Sequence, residues 1–151
     1  MALAQRGLSL EQFLALPEEK PALEYTEGMV TQKVSPKAKL SRLQLKLAEQ
    51  LDEAGREGRL ALAFPELRTT FRGASRVPDV SVYRRERVPV NSAGELEDNV
   101  REPPDIAVEI VSPEQSVNGL VRRCLWYVAN GVTIALLVDP ADRSVLAFRP
   151  G

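Results

Sequence analysis

Two carboxylates sit inside runs of β-branched and apolar residues, and their placement limits the possible folds more than any other feature of this chain. The runs are Val77-Pro78-Asp79-Val80-Ser81-Val82-Tyr83 and Asp105-Ile106-Ala107-Val108-Glu109-Ile110-Val111. Residues of this kind favour strands, and period-two alternation divides each run into two faces. Val80 and Val82 share one face of the first run, and Asp79 and Ser81 share the other. In the second run Ile106, Val108 and Ile110 form the apolar face, and Glu109 points the opposite way. An acid set against a core is costly unless a cation or hydrogen bonds repay it. Two such strands together are able to hold a hard divalent cation through oxygen ligands, which suits Mg²⁺ or Mn²⁺ better than zinc. The competing reading puts either acid at an exposed strand end.

The chain has no histidine and one cysteine, Cys124. Ser-His-Asp hydrolysis, Cys-His proteolysis and His-ligated zinc are excluded in their usual forms, as are an internal disulfide and a cysteine zinc cluster. Acid-base or metal chemistry therefore falls to carboxylates, Lys, Arg, Tyr and water. Cys124 lies on an apolar helical stripe and reads as a small buried hydrophobe. A net charge of −1 argues against nucleic-acid binding through bulk charge. A local cluster remains in Lys33, Lys37, Lys39, Arg42 and Lys46, read first as a solvated helix face and second as a phosphate track. With 151 residues, 44% of them hydrophobic and 27% charged, the expectation is a single domain over residues 1–151. No apolar run approaches the ~18 residues of a membrane span, and no signal-peptide pattern opens the chain, so a cytoplasmic protein without membrane contact is expected.

Ser9-Leu10-Glu11-Gln12 has the form of a capping box and opens a short helix ended by Pro17. Leu23-Glu24-Tyr25, Glu27-Gly28 and Met29-Val30-Thr31 read as a hairpin. Ser35-Pro36 opens a longer helix with Leu40, Leu43, Leu47, Leu51 and Ala54 on one face, closed at Gly55 and Gly58. Leu60–Phe64 and Leu67–Phe71 are short strands, and Gly73 turns the chain into the Asp79 strand. Residues 85–104 form a polar, aperiodic loop. Ser112-Pro113 starts a helix with Val117, Leu120, Val121, Cys124, Leu125 and Val128 on one stripe, ending at Asn130-Gly131. Val132–Val138 is apolar throughout, as in a strand buried on both faces, and Ser144–Phe148 follows. This order predicts an α/β fold, a mixed sheet flanked by helices.

These marks, in this order, resemble a known family. They are Leu23-Glu24-Tyr25-Thr26-Glu27-Gly28, Ser35-Pro36, Val77-Pro78-Asp79-Val80, Val108-Glu109-Ile110-Val111-Ser112-Pro113, Tyr127, Gly131-Val132 and Val138-Asp139-Pro140. The resemblance is to the bacterial, cyanobacteria-rich family described as "putative restriction endonuclease", of the PD-(D/E)XK nuclease superfamily, and it covers nearly the whole chain. It implies a restriction-endonuclease-like α/β core and hydrolysis of phosphodiesters, DNA ahead of RNA, with Mg²⁺ or Mn²⁺. Asp79 and Glu109 match the family's two metal-binding acids, and Glu24 matches a glutamate able to add a third carboxylate. Otherwise Glu24 reads as an exposed hairpin acid balancing Lys33. Family members usually run on for a further strand or two beyond the strand ending at Phe148.

This chain departs from the family pattern at several positions. The superfamily lysine two residues after the glutamate is replaced by Val111, and the lysine that the family carries four residues before the tyrosine is Arg123. Arginine stabilises charge on a phosphoryl group but holds its proton too firmly to act as a base. Gln115 stands where relatives often carry an acid, and the helix after Ser35-Pro36 lacks the family's histidine, with Arg42 nearby. Glu66 is a further acid able to approach the site from a strand end. Trp126, opposite the apolar stripe of its helix, reads as an interface anchor, which together with two-strand cleavage suggests a homodimer. Three functional readings follow: a divalent-metal-dependent endonuclease using Asp79, Glu109 and Arg123, a catalytically inactive relative that binds nucleic acid or protein, and, behind these, a dimeric structural component of a toxin-like or mobile-element system.

Overall fold

The computed structural model describes residues 5–151; the first four residues, on which part of the N-terminal reading rests, lie outside them. In chain order the elements are β1 Gln5–Arg6, α1 Leu10–Leu14, β2 Leu23–Thr26, β3 Met29–Gln32, α2 Ala38–Glu57, β4 Ala61–Pro65 and β5 Thr69–Phe71. They continue with β6 Ala74–Arg76, β7 Val80–Arg84, a 3-10 turn at Arg85–Arg87, β8 Ile106–Ile110, α3 Val117–Ala129, β9 Ile134–Asp139 and β10 Ser144–Phe148. The capping box at Ser9 forms in full, with Ser9 and Gln12 each bonding the other's backbone N–H. The β2–β3 hairpin turns through Glu27 and Gly28, both at positive φ, the conformation a tight two-residue turn needs.

The strands divide between two five-stranded sheets, where the sequence suggested one. The antiparallel sheet has the order β1-β3-β2-β6-β5, and the mixed sheet the order β10-β9-β8-β7-β4. β8 and β9 are parallel and joined through α3, a crossover that covers one face of the sheet. α2 covers the other face: Ala48, Leu47 and Leu51 pack with Val80, Val108, Leu136 and Val138. Beneath α3 the core contains Ala107, Val111, Leu120, Cys124, Tyr127, Ala135 and Leu137. Alternation along β8 and β9 thus feeds two cores, which explains the continuous apolar run of β9.

Several boundaries moved. Gly73 turns the chain into β6, not into the Asp79 strand, and Val77-Pro78-Asp79 then carries it from one sheet to the other. α2 begins at Ala38 with Lys37 as N-cap and no side-chain capping bond, later than Ser35-Pro36 suggested. Gly55 lies inside this helix and does not end it. A Cβ there would stand 2.5 Å from the Ala61 carbonyl oxygen, so glycine lets α2 lie close on β4. α3 begins at Val117 with Ser116 as N-cap, because Ser112 and Gln115 close a turn of their own through the Gln115 side chain. Its buried stripe is Leu120, Cys124, Tyr127 and Val128, while Val117 and Leu125 are exposed; Ala54 of α2 is exposed as well.

Candidate active site

The site forms where Val77-Pro78-Asp79 crosses between the sheets. The residue before a proline is pushed towards extended backbone, so the Val77 N–H is left free for a side chain. It donates to Glu24 Oε2 at 2.7 Å. Glu24 comes from β2 in the first sheet, Glu109 from β8 in the second, and Asp79 from the junction. Asp79 Oδ2 accepts from the Ile110 N–H at 2.7 Å, which fixes its carboxylate against the end of β8.

Arg123, one turn before Tyr127 on α3, binds the two glutamates together. Its Nε donates to Glu109 Oε2 at 2.8 Å, and its two terminal nitrogens form a fork on Glu24, one at 2.7 Å. Tyr127 Oη donates to Glu109 Oε2 at 2.6 Å. Glu109 is 3% exposed and Glu24 7%. Burial would raise the Glu24 carboxyl, but Arg123, Lys33 and the Val77 N–H outweigh it and hold it at about 2. Glu109 goes the other way: burial, with Asp79 beside it, pushes its carboxyl up against the pull of Arg123. Burial also pushes the Cys124 thiol up to about 12.

A second cation is present that the sequence reading had placed on a solvated helix face. Lys33 follows β3 and turns inward, with its side chain 12% exposed. Its ammonium donates to Val77 O at 2.7 Å, Asp79 Oδ1 at 3.0 Å and Glu66 Oε2 at 3.1 Å. Lys37, Lys39, Arg42 and Lys46 remain exposed. Gln44 of α2, which carried no signal in the sequence, donates to Glu66 Oε1 at 3.1 Å and to Asp79 O at 2.8 Å. For Lys33 a signal existed: it directly follows β3 and precedes the helix to which it had been assigned.

Asp79, Glu109, Arg123 and Glu24 are therefore brought together, with Glu66 joining through Lys33. All five, with Lys33, line a cavity of about 150 Å³. A larger hollow of about 630 Å³, lined in part by Glu18, Glu19, Pro36 and Arg68, shares Lys33 and Glu66 with it. Glu24 is buried, which corrects the exposed-hairpin alternative. Val111 lies in the core under α3, so the strand position of the superfamily lysine is filled by packing. Trp126 is half-buried, its ring tilted against Phe71 at 5.4 Å between centroids with the Arg76 guanidinium 4.3 Å above it, which corrects its reading as a fully exposed side chain. Arg76 Nε is buried without a hydrogen-bond partner among the described residues.

Oxygen donors alone suit a hard divalent cation. Glu109 Oε1 accepts no hydrogen bond among the described residues, while the other carboxylate oxygens of Glu24, Glu66, Asp79 and Glu109 are all engaged. Four carboxylates against two basic side chains also leave a surplus of negative charge. The residues fit a divalent ion in chemistry, provided that Asp79 Oδ1 is released from Lys33. As they stand, no three acids or thiols among the described residues are grouped as a metal-binding cluster.

Residues 10–151 match the model of the family Uma2, described as "Putative restriction endonuclease". The fold is similar to the 1.96 Å crystal structure of a putative nuclease belonging to DUF820 from Anabaena variabilis ATCC 29413, with a TM-score of 0.91 and 37% identity over 95% of this chain and 80% of that one. No curated protein matches the chain. No helix among the described residues is long and apolar enough to cross a membrane. From its mixed sheet to its acid-bearing sheet junction, the chain belongs to this restriction-endonuclease-like family of nucleases.

Proposed function

We propose that this chain is a divalent-metal-dependent phosphodiesterase acting as one nuclease domain on nucleic acid, DNA ahead of RNA. The observation that carries this reading is that Asp79, at the sheet junction just before β7, and Glu109, on the adjacent β8, line the same cavity, where one Glu109 oxygen accepts no hydrogen bond among the described residues. Asp79 and Glu109 would hold Mg²⁺ or Mn²⁺, with Glu24 at the side of the site. When bound, such an ion supplies Lewis-acid polarisation of a phosphoryl oxygen and a more acidic water. The chain's own residues do the rest. The Ile110 N–H and Tyr127 Oη orient the two carboxylates, and preorganised groups of this kind need no rearrangement during reaction. Arg123, held in its place by Glu24, presents fixed positive charge beside the site; as a guanidinium it stabilises anionic oxygen and does not take up protons. The hollow at Lys33 and Glu66 gives a strand room to approach.

Asp79→Asn keeps the size of the side chain while removing its charge. It is expected to abolish Mn²⁺-dependent nicking of supercoiled plasmid DNA; unchanged nicking would overturn the assignment. Cutting both strands would call for a homodimer, which sedimentation of the wild-type protein reads directly. The second reading is a nuclease fold that binds nucleic acid without cutting it. It draws on Val111 being core and on the nearly complete engagement of the carboxylates by Lys33, Arg123 and backbone N–H groups. It predicts DNA binding with no cleavage in any divalent metal.

A further inference from the structure

Resting on the metal-site reading above, we infer that Lys33 is the resident cation of this site and that a divalent ion enters only as the Lys33 ammonium leaves. An ammonium has three N–H donors, and all three are used within the site, on Val77 O, Asp79 Oδ1 and Glu66 Oε2. Two of these three acceptors are carboxylate oxygens of the kind a hard cation needs. A divalent ion bound through Asp79 Oδ1 would lie within a few ångströms of the ammonium, where like charges repel strongly in a partly buried site. The two cations therefore exclude one another.

Arg123 is not equivalent. Its guanidinium is a planar fork with donors spent on two different glutamates, and α3 anchors it from outside the acid cluster. Lys33 carries its charge on a flexible four-carbon stem. It also borders both hollows, and the larger one contains Glu18 and Glu19. An ammonium that swings out of the site thus has room in the larger hollow, whose lining includes Glu19, while Glu18 there is already paired with Arg68. Sequence alone placed this residue on a helix face. In the folded chain it takes part of the charge-balancing role that the metal would have.

The test is calorimetric titration of Mn²⁺ into wild type and Lys33→Met, with the folded state of each checked by circular dichroism. The variant is expected to bind Mn²⁺ at least about tenfold more tightly, the factor that about 1.4 kcal/mol represents, and adding Asp79→Asn to it should remove that binding. Equal affinity in wild type and Lys33→Met overturns the role of Lys33 and leaves the metal-site reading standing. Absence of Mn²⁺ binding in both overturns the two together. Should Lys33→Met fail to fold, amine labelling of the wild type followed by mass spectrometry decides the matter. Lys33 should be protected without metal and labelled at saturating Mn²⁺; protection under both conditions overturns the proposal.

Discussion

The two faces of the mixed sheet are built from the same strands and do different work. Against α2, Val80, Val108, Leu136 and Val138 meet Ala48, Leu47 and Leu51 with no charged group among them. Against α3, one residue further along the same β8, Glu109 is buried beneath Arg123 and Tyr127. One face gains stability mainly from apolar burial, with hydrogen bonds of Gln44 and Asp52 only at its margins. On the other a carboxylate is removed from water and depends on one guanidinium and one hydroxyl. The comparison teaches that packing and chemistry are separated here by the two-residue period of a strand, not by distance along the chain.

The largest expected effect comes from breaking the charged face. Arg123→Met leaves Glu24 and Glu109 buried without their cation, and removing one partner of such a pair costs about 3–5 kcal/mol. Urea unfolding would measure this, and adding Glu24→Gln and Glu109→Gln to the variant should recover much of the loss. A recovery of that size would show that the penalty is electrostatic; no recovery would mean that Arg123 matters through its packing.

A smaller loss is expected on the apolar face. Val108→Ala removes about two methylene equivalents from a residue that is 1% exposed. Transfer and cavity terms together put the loss at about 2 kcal/mol. Mn²⁺ binding should be unchanged, since Val108 points away from the acids. Altered metal affinity in this variant would show that the two faces are coupled.

The smallest effect lies in the pH dependence. Glu24 is held at about 2 against an ordinary value of 4.5, so its stabilising contribution is present above pH 4.5 and lost as pH falls towards 2. Glu109 is shifted upward, so the folded state gains from its protonation as the pH falls towards 4.5, a window that lies above that of the Glu24 loss. Glu24→Gln should therefore make the acid limb of the stability curve shallower, measured as thermal midpoints between pH 5 and 2, while Glu109→Gln should change the curve only above pH 4.5. Parallel limbs in wild type and Glu24→Gln would show that other carboxylates govern acid unfolding.

Much of the fold was legible because local rules governed it. The capping box at Ser9, the Glu27-Gly28 turn, the positions of β8 and β9 and the end of α3 at Asn130-Gly131 follow from residue type and period. Gathering Asp79, Glu109, Glu24 and Arg123 was also within reach, through the resemblance of their motifs to a family pattern. The starts of α2 and α3 were misread because Ser-Pro signals an N-terminus without saying whether a competing local bond, such as that of Gln115 to Ser112, forms first. Trp126 was misread because a helical wheel shows only its own helix, and Phe71 and Arg76 come from the other sheet.

By itself the sequence determined the alternation that gives each strand two faces, the two acids on those strands, and the restriction to oxygen and nitrogen chemistry that follows from a chain without histidine. The tertiary structure alone decided how those acids are neutralised. Lys33 lies 46 residues from Asp79 in the chain, and Glu24 lies 99 from Arg123. Local periodicity carries no information about pairings at that separation. They arise because the Val77-Pro78-Asp79 crossing brings two sheets together, and buried charges brought into contact must find partners there.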